Sequence, residues 1–363
     1  MDDKKRIAFV ISKLSSGGAQ RVIATLANEL VAKLDVIIIT YTNRASFYEL
    51  DPKVKHISCF DEESIRSSTN FFESILLNYK LNKRIGQIVK NEQVDLVIGF
   101  ITQSNIFSIF AAKRNGIPSI ISERSNPKRS NTPKFWKILR NLAYPGTDCL
   151  VVQTENVKKY YAEKVPVAKI VTLPNPINPT LSAKRTDNQK ENIILCVGRL
   201  HKLKNHAMAI KAFENIKPEG WRLILLGEGP EEENLQKLIS GNTNIELAGA
   251  ITNIEDYYNR ARIFLFTSNH EGFPNALLEA MHFGLAPIST DCESGPSEII
   301  EDGNNGYLVP VGNVMAMEQK LKMLTENKEL LEKLAAQAQL TTKRYLSENV
   351  TRSWYNLINS KLN

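Results

Sequence analysis

The chain has 363 residues, of which 42% are hydrophobic and 23% charged, so its composition is that of a folded globular protein and excludes a disordered or fibrous one. This length exceeds one ordinary hydrophobic core and predicts two domains. The formal net charge of +7 is uneven, because residues 1–182 carry 26 Lys and Arg against 16 Asp and Glu, whereas residues 183–363 carry 20 against 23.

The basic first half indicates an acidic partner, either nucleic acid or an anionic membrane surface. Nucleic acid is disfavoured because the sequence contains no recognised reader module, zinc framework or aromatic stacking platform. No apolar run approaches the roughly 18 to 20 residues needed to span a bilayer, and Met1–Arg6 leads into a strand without a signal-peptide core. We therefore predict a cytoplasmic protein.

Strand and helix patterns alternate along the first half. Apolar runs predict strands at Arg6–Ser12, Asp35–Thr40 and Val94–Phe100, with a long helix at about Phe71–Lys90 between the last two. Such alternation is typical of a parallel sheet covered by helices on both faces. After the first strand, Gly17-Gly18 would allow close approach of backbone and ligand at the carboxyl edge of the sheet. The absence of a G-x-G-x-x-G pattern here counts against a nicotinamide dehydrogenase.

A polar loop follows the predicted strand Ile117–Ser122. Its residues, Glu123, Arg124, Ser125 and Asn126, crowd the carboxyl end of that strand. Side chains in this position can meet a ligand of an open α/β sheet, or they can form a salt-bridged loop. The sequence leaves both interpretations open.

The segment from Arg124 to Thr147 contains no acidic residue. Its predicted helix, Lys134–Ala143, carries a basic residue at every third position, with large apolar residues between them. This helix could meet anionic headgroups or the pyrophosphate of a lipid carrier, or it could be a solvated face over a core stripe. The basic residues of the segment beyond Arg124 are Lys128, Arg129, Lys134, Lys137 and Arg140, and a second basic set on the preceding long helix is Lys80, Lys83 and Arg84.

A proline-rich stretch divides the chain. Pro174, Pro176 and Pro179 precede the polar run Ser182–Glu191, and this pattern predicts an interdomain linker. We accordingly predict an N-terminal Rossmann-like domain at 1–180, a second at 181–345, and a final helix at 346–363.

The second strand-helix series begins with Asn192–Val197, which ends in Gly198-Arg199. Lys204, at the start of the next helix, could join Arg199 over one phosphate site, although a salt bridge at the sheet edge is the alternative. The following strand, Trp221–Leu226, leads to Gly227, whose backbone could approach a base or ribose.

The most informative stretch is Ser268–Met281, a polar loop that enters a helix. Pro274 suits the first helical turn, and the N–H groups beside it form an anion site where a phosphate would fit. Glu271 and Glu279 frame that site and can accept hydrogen bonds from hydroxyls, as an acidic residue does in dinucleotide-binding folds. A phosphate flanked by two polyols indicates a nucleotide sugar. Alternatively, the two glutamates are solvated charges at a helix start.

No disulfide or zinc site is predicted, because Cys59, Cys149, Cys196 and Cys292 are far apart in the sequence. Cys149 and Cys196 lie in strand-like apolar runs, which is typical of small buried residues in a reducing compartment.

The string Glu-Gly-Phe-Pro-Asn-x-x-x-Glu-Ala-Met, with seven residues between Glu271 and Glu279, resembles the signature of the retaining glycosyltransferases of family 4. That family has the GT-B fold, in which two Rossmann-like domains face each other across a cleft. Gly198-Arg199-Leu-x-x-x-Lys204-Asn is similar to its donor-phosphate pair. Gly-Gly-Ala-Gln-Arg, starting at Gly17, looks like its cleft-lining loop, and Pro-Asn-Pro at 174–176 is similar to the segment where its cleft opens.

The resemblance implies retaining transfer of a sugar from a UDP-sugar to an acceptor hydroxyl. No cofactor or metal is implied, since GT-B enzymes generally hold the diphosphate with cations and helix dipoles. We therefore interpret the metal-like spacing of Asp291 and Glu293 as coincidental.

Within this resemblance, each predicted site residue has a role. Arg199, Lys204 and the helix start would neutralise the diphosphate, Glu279 would hold the ribose, and Glu271 would hold the sugar hydroxyls. Arg124 stands where related transferases often carry a histidine near the reacting centre. The predicted catalytic residues are Glu271, Arg199, Lys204 and Arg124, and the predicted binding residues are Gly17, Gly18, Gly227, Gly272, Phe273, Pro274, Asn275 and Glu279.

For the acceptor, the basic first domain and the motifs Gly-Gly-Ala-Gln-Arg and Ser-Glu-Arg-Ser-Asn-Pro resemble bacterial enzymes that extend polyprenyl-diphosphate-linked oligosaccharides. This implies peripheral association with the inner face of the cytoplasmic membrane. The family's last helix crosses back to the first domain, here with Trp354, Tyr355 and Leu357 as its contacts. Two alternatives are a sugar-nucleotide epimerase and a catalytically idle glycan-binding subunit, but the latter predicts loss of Arg199, Lys204 or Glu279, and all three are present.

Overall fold

The computed structural model describes residues 4–62, 71–128, 132–187 and 189–363, with the side chains of residues 71 and 72 left out. The chain divides into two compact units, Met1–Pro176 with Ser347–Asn363, and Ile177–Leu346. Arg129, one of the basic residues named above, lies outside the described residues.

The first unit contains a parallel seven-stranded sheet in the order β3-β2-β1-β4-β5-β6-β7. Its central strands are apolar along their whole length because helices cover both faces, and every residue of β4 is buried. The strands are β1 (Arg6–Ile11), β2 (Asp35–Thr42), β3 (Lys55–Phe60), β4 (Leu96–Phe100), β5 (Ser119–Ser122), β6 (Cys149–Val152) and β7 (Ile170–Thr172). The helices up to β7 are α1 (Gly18–Leu30), α2 (Phe71–Asn91), α3 (Thr102–Asn115), α4 (Lys134–Ala143) and α5 (Glu155–Ala162).

The second unit contains a parallel six-stranded sheet in the order β10-β9-β8-β11-β12-β13. The strands are β8 (Ile193–Val197), β9 (Arg222–Leu226), β10 (Ile245–Gly249), β11 (Ile263–Phe266), β12 (Ala286–Thr290) and β13 (Tyr307–Val309). The helices are α6 (Pro179–Ser182), α7 (His206–Ile216), α8 (Glu232–Ile239), α9 (Ile254–Arg260), α10 (Asn275–His282), α11 (Pro296–Ile299), α12 (Val314–Glu326) and α13 (Lys328–Thr341). Both units are therefore Rossmann-like.

The polar run before β8 is mostly exposed, but two of its lysines bind to the second unit. Lys190 Nζ donates to the carbonyl oxygens of Tyr258 and Ala261, at 3.1 and 2.9 Å, and Lys184 pairs with Glu255 at 2.5 Å. A lysine amine is favourable at these carbonyls because they form the negative end of α9. These hydrogen bonds and this ion pair hold the run against the second unit.

The last helix of the chain, α14 (Ser347–Leu362), belongs to the first unit. Trp354 is fully buried in the cluster built around β1, α1 and β4, and its ring stacks on Phe100 with centroids 5.8 Å apart. Tyr355 and Leu357 pack partly buried against the same cluster. The chain end therefore completes the core of the first unit.

Two further features are the length and polarity of the helices and the state of the cysteines. None of the helices in the described ranges is long and apolar enough to cross a membrane. The four cysteines, Cys59, Cys149, Cys196 and Cys292, are buried free thiols. Burial raises the pKa of the Cys149 thiol to about 11, so this thiol is protonated near neutral pH.

We expect Trp354→Ala to lower the free energy of unfolding of the first unit by about 3–5 kcal/mol, because it removes a fully buried aromatic side chain. Denaturant unfolding followed by circular dichroism would measure this loss. Phe47→Ala is the matched control, since Phe47 is 68% exposed in the same unit, and it should change stability by only about 0.5 kcal/mol. A loss below about 1 kcal/mol in Trp354→Ala would contradict the structural role of α14.

Candidate active site

In each sheet the direction of strand order reverses at one point, between β1 and β4 in the first and between β8 and β11 in the second. Ligands of open α/β sheets bind outside the carboxyl ends of the strands at such a switch point. In the second unit the loops that leave this point are 198–205, after β8, and 267–274, after β11. They carry most of the predicted donor-site residues.

Hydrogen bonds join these two loops directly. Thr267 Oγ1 donates to the carbonyl of Lys204 at 2.8 Å, and the amide of Asn269 donates to the carbonyl of Leu203 at 2.8 Å. Thr290, at the end of β12, donates from Oγ1 to the carbonyl of Ser268 at 2.6 Å. These hydrogen bonds hold the backbone at Leu203 and Lys204 and the segment that leads to Glu271.

Lys204 and Glu271 form an ion pair, with 2.5 Å between Nζ and Oε1. Ser268 Oγ donates to the same carboxylate oxygen at 2.6 Å. Both charged side chains are largely shielded, since that of Lys204 is 28% exposed and that of Glu271 12%. The salt bridge that the sequence left open for Lys204 thus exists, and its partner is a predicted site residue.

Arg199 is not part of this ion pair. Its side chain is exposed, and within the described ranges it makes no hydrogen bond or ion pair. It lines a cavity of about 690 Å³, a size typical of small-molecule sites. The cavity lies over the carboxyl ends of β8 and β9, and its lining comprises Val197, Gly198, Arg199, Leu226, Gly227, Glu228, Gly229, Glu232, Ala250, Ile251 and Ile254.

Gly227 has a structural reason to be glycine that the sequence did not reveal. Its φ is +142°, and a Cβ there would lie 2.1 Å from the carbonyl oxygen of Gly198. Gly229 is similar, with φ +157° and a Cβ position 2.3 Å from the carbonyl oxygen of Leu200. These glycines let the loops after β8 and β9 pack together and form the cavity wall.

The start of α10 differs in detail from its prediction. The helix begins at Asn275, so Pro274 is the residue before its first turn, and the Asn275 amide already donates to the carbonyl of Phe273 at 3.0 Å. The Phe273 side chain is buried in the core beside Tyr345, because an aromatic ring gains more from apolar packing than from the polar loop. For Phe273, therefore, the backbone and not the ring is available to a ligand, whereas Asn275 is half-buried. Glu279 is buried within α10 at 7% exposure.

His206, the first residue of α7, contacts the loop after β8. Its ring nitrogen Nε2 lies 3.2 Å from the carbonyl oxygen of Gly198. Burial lowers the pKa of this imidazole to about 4, so His206 is neutral near pH 7. His206 therefore adds no positive charge next to Lys204.

In the first unit the loop after β1 is held by a tyrosine. Tyr48 Oη accepts from the amide of Gly17 at 2.9 Å and donates to the carbonyl of Gly17 at 3.0 Å. Gly18 is exposed and begins α1. The predicted Gly17-Gly18 loop thus has a fixed backbone at the carboxyl edge of the sheet.

Arg124 follows β5 and lies against the stacked rings of Phe100 and Trp354. Its guanidinium carbon is 4.5 Å from the ring centroid of Phe100 and 5.7 Å from that of Trp354, and Nη1 donates to Asn175 Oδ1 at 2.8 Å. Nε and Nη2 are buried and have no hydrogen-bond partner among the described residues. Burial lowers the pKa of Arg124 to about 9, against the opposing effect of the Glu123 charge.

The sequence left open whether Glu123 meets a ligand or forms a salt bridge. In the structure its side chain is buried, and no salt bridge from it falls within the described ranges. Its carboxylate accepts hydrogen bonds from Thr102 Oγ1 and Asn105 Nδ2, each at 3.1 Å, and from Tyr144 Oη. Burial raises the pKa of Glu123, and the hydrogen bond from Tyr144 opposes that rise. The carboxyl group turns inward because these donors compensate it there.

The residues that the sequence did not single out are the polar anchors Thr267, Ser268, Thr290 and Tyr48. Three of them were indicated only by their position at or after the end of a predicted strand. Nothing in the sequence indicated Tyr48. In the part of the chain that the structure describes, no group of three or more His, Cys, Asp or Glu could hold a metal ion. Asp291 is exposed and Glu293 half-buried.

Two families match consecutive parts of the chain. The family described as Glycosyltransferase Family 4 matches residues 16–181, and the one described as Glycosyl transferases group 1 matches residues 178–341. Their junction lies close to the point where the structure divides into two units.

Relatives and solved structures match over nearly the whole length. The GalNAc-α-(1→4)-GalNAc-α-(1→3)-diNAcBac-PP-undecaprenol α-1,4-N-acetyl-D-galactosaminyltransferase of Campylobacter jejuni is 30% identical, over 97% of this chain and 98% of that protein. The amylovoran biosynthesis glycosyltransferase AmsD of Erwinia amylovora is 26% identical, over 98% and 99%. A glycosyltransferase structure from Rickettsia africae superposes with a TM-score of 0.83 at 21% identity, covering 99% of each chain. HepE of Anabaena in complex with UDP superposes with 0.78 at 15% identity, covering 98% and 100%.

The fold alone is shared with these solved structures, whereas the similarity to the Campylobacter enzyme extends to sequence along both units. The chain therefore belongs to glycosyltransferase family 4, has the two Rossmann-like domains of the GT-B fold, and is a glycosyltransferase.

Proposed function

We propose that this protein transfers a hexose or N-acetylhexosamine from a UDP-sugar to a hydroxyl of a polyprenyl-diphosphate-linked oligosaccharide, with retention of anomeric configuration. The observation that supports this choice of acceptor is the similarity, over nearly the whole chain, to a relative whose name specifies a PP-undecaprenol-linked acceptor. Such lipid-linked glycans are intermediates of bacterial surface polysaccharides and glycoproteins. The protein would act as a peripheral protein on the inner face of the membrane, through the basic half of its chain.

The donor site is assigned to the second unit. The cavity beside Arg199 and Gly227 has the size for a nucleotide, and HepE, which shares this fold, was crystallised with UDP. Lys204 and Arg199 would bind the diphosphate with the backbone of Gly272 and Phe273, and Glu279 would hold the ribose. These groups are cations and backbone dipoles, so the donor would need no metal ion.

The reaction would proceed as follows. The bond between the anomeric carbon and the β-phosphate oxygen breaks, and its electron pair stays on the diphosphate, which Arg199 and Lys204 stabilise. The acceptor hydroxyl oxygen forms the new bond on the same face of the sugar, and its proton passes to the departing phosphate oxygen. Glu271 would accept hydrogen bonds from the sugar hydroxyls and stabilise positive charge at the anomeric carbon. Arg124 would lie near the reacting centre.

We expect the protein to bind UDP in EDTA with a dissociation constant in the micromolar range, about −8 kcal/mol, and we expect Lys204→Ala to weaken this binding at least tenfold. Isothermal titration calorimetry measures both. Lys202→Ala is the matched control, because Lys202 lies exposed two residues away and should leave the affinity unchanged. Binding that requires Mg²⁺, or that is equal in the Lys204 and Lys202 variants, would refute the phosphate assignment.

A separate prediction follows from the ion pair between Lys204 and Glu271. In Glu271→Gln the lysine loses its internal counter-charge, so UDP should bind about three- to tenfold more tightly, which is about 0.7–1.4 kcal/mol. Sugar transfer by the same variant should fall about 10²-fold, because the charge at the reacting sugar is lost. Calorimetry and an initial-rate assay would measure the two effects.

Glu255→Gln provides the control for that experiment. The distance between Glu255 and Lys184 is also 2.5 Å, and the Glu255 side chain is 12% exposed, like that of Glu271. This second pair, however, includes a lysine of the polar run before β8. Glu255→Gln should change neither UDP affinity nor rate. Weaker UDP binding by Glu271→Gln would show instead that Glu271 positions Lys204 for the phosphate.

The stereochemistry is testable with the product. We expect an α-linked product from α-configured UDP-hexose or UDP-N-acetylhexosamine donors and a detergent-solubilised lipid-linked acceptor, as judged from the anomeric proton in the NMR spectrum. A β-linked product would disprove retention. Conversion of the donor without acceptor would favour the epimerase instead.

A further inference from the structure

Phe47 lies in the segment between β2 and β3, and its side chain is 68% exposed. Single exposed apolar residues are common on protein surfaces, so exposure alone identifies no site. The backbone of Phe47, however, is held in a defined place. Its amide donates to the carbonyl of Leu14, three residues beyond the end of β1, at 2.8 Å. Phe47 therefore lies beside the loop after β1, at the carboxyl edge of the first sheet.

The residues that follow Phe47 fix the same segment at further points. The two hydrogen bonds between Tyr48 Oη and Gly17 tie it to the residue before α1. Asn28 of α1 donates from Nδ2 to the carbonyl of Glu49 at 3.0 Å and accepts from the amide of Asp51 at 2.9 Å. The segment is thus fixed along α1 by side chains as well as by backbone.

The ring of Phe47 is oriented by a neighbouring aromatic side chain. The rings of Phe47 and Tyr48 meet edge to face, with centroids 5.2 Å apart. This contact restrains the Phe47 ring while most of it stays exposed to solvent. A restrained aromatic side chain binds a ligand with little loss of conformational entropy, so it suits a binding site better than a mobile one.

Backbone strain marks the same sheet edge as a ligand site. Ile101 follows the last residue of β4, the neighbour of β1 in the sheet, and has φ +72° and ψ 146°. This region is almost restricted to glycine, so a β-branched residue is strained there. Hydrogen bonds from the Ile101 amide to the Ser122 carbonyl, at 3.1 Å, and from the Asn105 amide to the Ile101 carbonyl, at 2.9 Å, hold it in place. Such strain clusters at ligand sites, and β1 and β4 flank the switch point of this sheet.

The surroundings of Phe47 indicate the kind of ligand. Arg44 is paired with Glu62 at 2.8 Å, and Glu49 is exposed two residues from the ring, so charge here does not favour an anionic bilayer. A sugar ring suits the position, because its C–H groups pack on the negative face of an aromatic ring while its hydroxyls bind polar groups around it. The donor is assigned to the second unit, so a sugar at this edge would belong to the acceptor.

We propose that Phe47 forms a sugar subsite of the first unit, in which its ring stacks on the C–H face of one sugar of the acceptor oligosaccharide. The inference rests on the proposed function, which supplies the oligosaccharide acceptor. Phe47 contributes affinity for that acceptor and takes no part in bond breaking or donor binding.

Initial rates with the detergent-solubilised lipid-linked acceptor test the subsite. In Phe47→Ala we expect kcat/KM for the acceptor to fall at least tenfold, through a higher KM, with UDP affinity unchanged. Phe47→Trp keeps an aromatic face and should stay within threefold of the unaltered protein. Phe47→Leu keeps an apolar side chain without a ring and should behave like Phe47→Ala.

Phe110→Ala is the matched control. Phe110 is a residue of the same type in the first unit and is 37% exposed, but it lies about 12 Å along α3 from the start of that helix. This variant should leave the acceptor KM unchanged. Circular dichroism of each variant establishes that it is folded.

A direct binding measurement uses simple sugars as probes. Saturation-transfer difference NMR, with UDP in excess, would follow the methyl glycosides of glucose, galactose, N-acetylglucosamine and N-acetylgalactosamine. We expect at least one of them to receive saturation at its ring C–H protons from the unaltered protein and from Phe47→Trp. Its affinity should be at least tenfold lower for Phe47→Ala and Phe47→Leu.

Equal acceptor KM values in Phe47→Ala and Phe110→Ala overturn the inference, and so does the absence of binding by all four glycosides. Normal kinetics in Phe47→Leu overturns stacking in favour of a general apolar contact. If Phe47→Ala leaves glycoside binding unchanged but dissociates a dimer or reduces flotation with phosphatidylglycerol vesicles, the ring binds a second copy of this chain or a bilayer instead.

The NMR measurement needs no turnover, which separates this inference from the proposed function. Failure of the unaltered protein to transfer to the solubilised acceptor with any UDP-sugar would refute the proposed function. Glycoside binding and its dependence on Phe47 would still decide whether the sugar subsite exists.

Discussion

The hydrogen bonds between the loop after β8 and the loop after β11 are the constraint on which the site of the second unit depends. These loops leave adjacent parallel strands in the same direction, so their polar groups meet at one edge. Thr267 and Asn269 hold the backbone of Lys204 and Leu203, and Thr290 holds Ser268 from the next strand. Lys204 and Glu271 are then brought into contact although 67 positions separate them in the sequence. Such backbone anchoring fixes charged side chains before a ligand arrives, which is the basis of electrostatic preorganisation.

The first unit fixes its own cation by a different means. Arg124 lies against the stacked rings of Phe100 and Trp354, and in the part of the chain that the structure describes its guanidinium donates to Asn175. An arginine suits this position because its planar guanidinium stacks on aromatic rings and stays charged when partly desolvated. Since Trp354 comes from the last helix of the chain, the order of Arg124 depends on the chain terminus. A truncation there would act on Arg124 as well as on the core.

Much of the fold followed from sequence because parallel strands buried on both faces read as apolar runs, and almost every such run is a strand in the structure. The exceptions are local. The apolar pattern predicts a final strand at Gly303–Pro310, but the strand is limited to Tyr307–Val309 because residues 303–305 form a turn. A helix is predicted at Lys328–Arg344, but α13 ends at Thr341 before a 3₁₀ turn at Thr342–Tyr345. At the site, residue types at strand ends indicated Lys204, Glu271 and Arg199, but not that the first two are paired. Pairing of side chains, like the inward turn of Glu123 and the core position of Phe273, is decided by tertiary contacts that a local pattern does not contain.

The pairing of Lys204 with Glu271 bears on selectivity. An unpaired lysine at a phosphate site would attract inorganic phosphate, pyrophosphate and every nucleotide alike. A lysine already neutralised by a glutamate gains less from an anion alone, because binding must first replace the ion pair. Under the roles proposed above, a nucleotide sugar would offer both replacements at once, since its diphosphate would bind the lysine and its sugar hydroxyls would donate to the glutamate. Under the proposed roles, the internal ion pair therefore disfavours incomplete ligands more than the complete donor, which is discrimination by a difference of affinities.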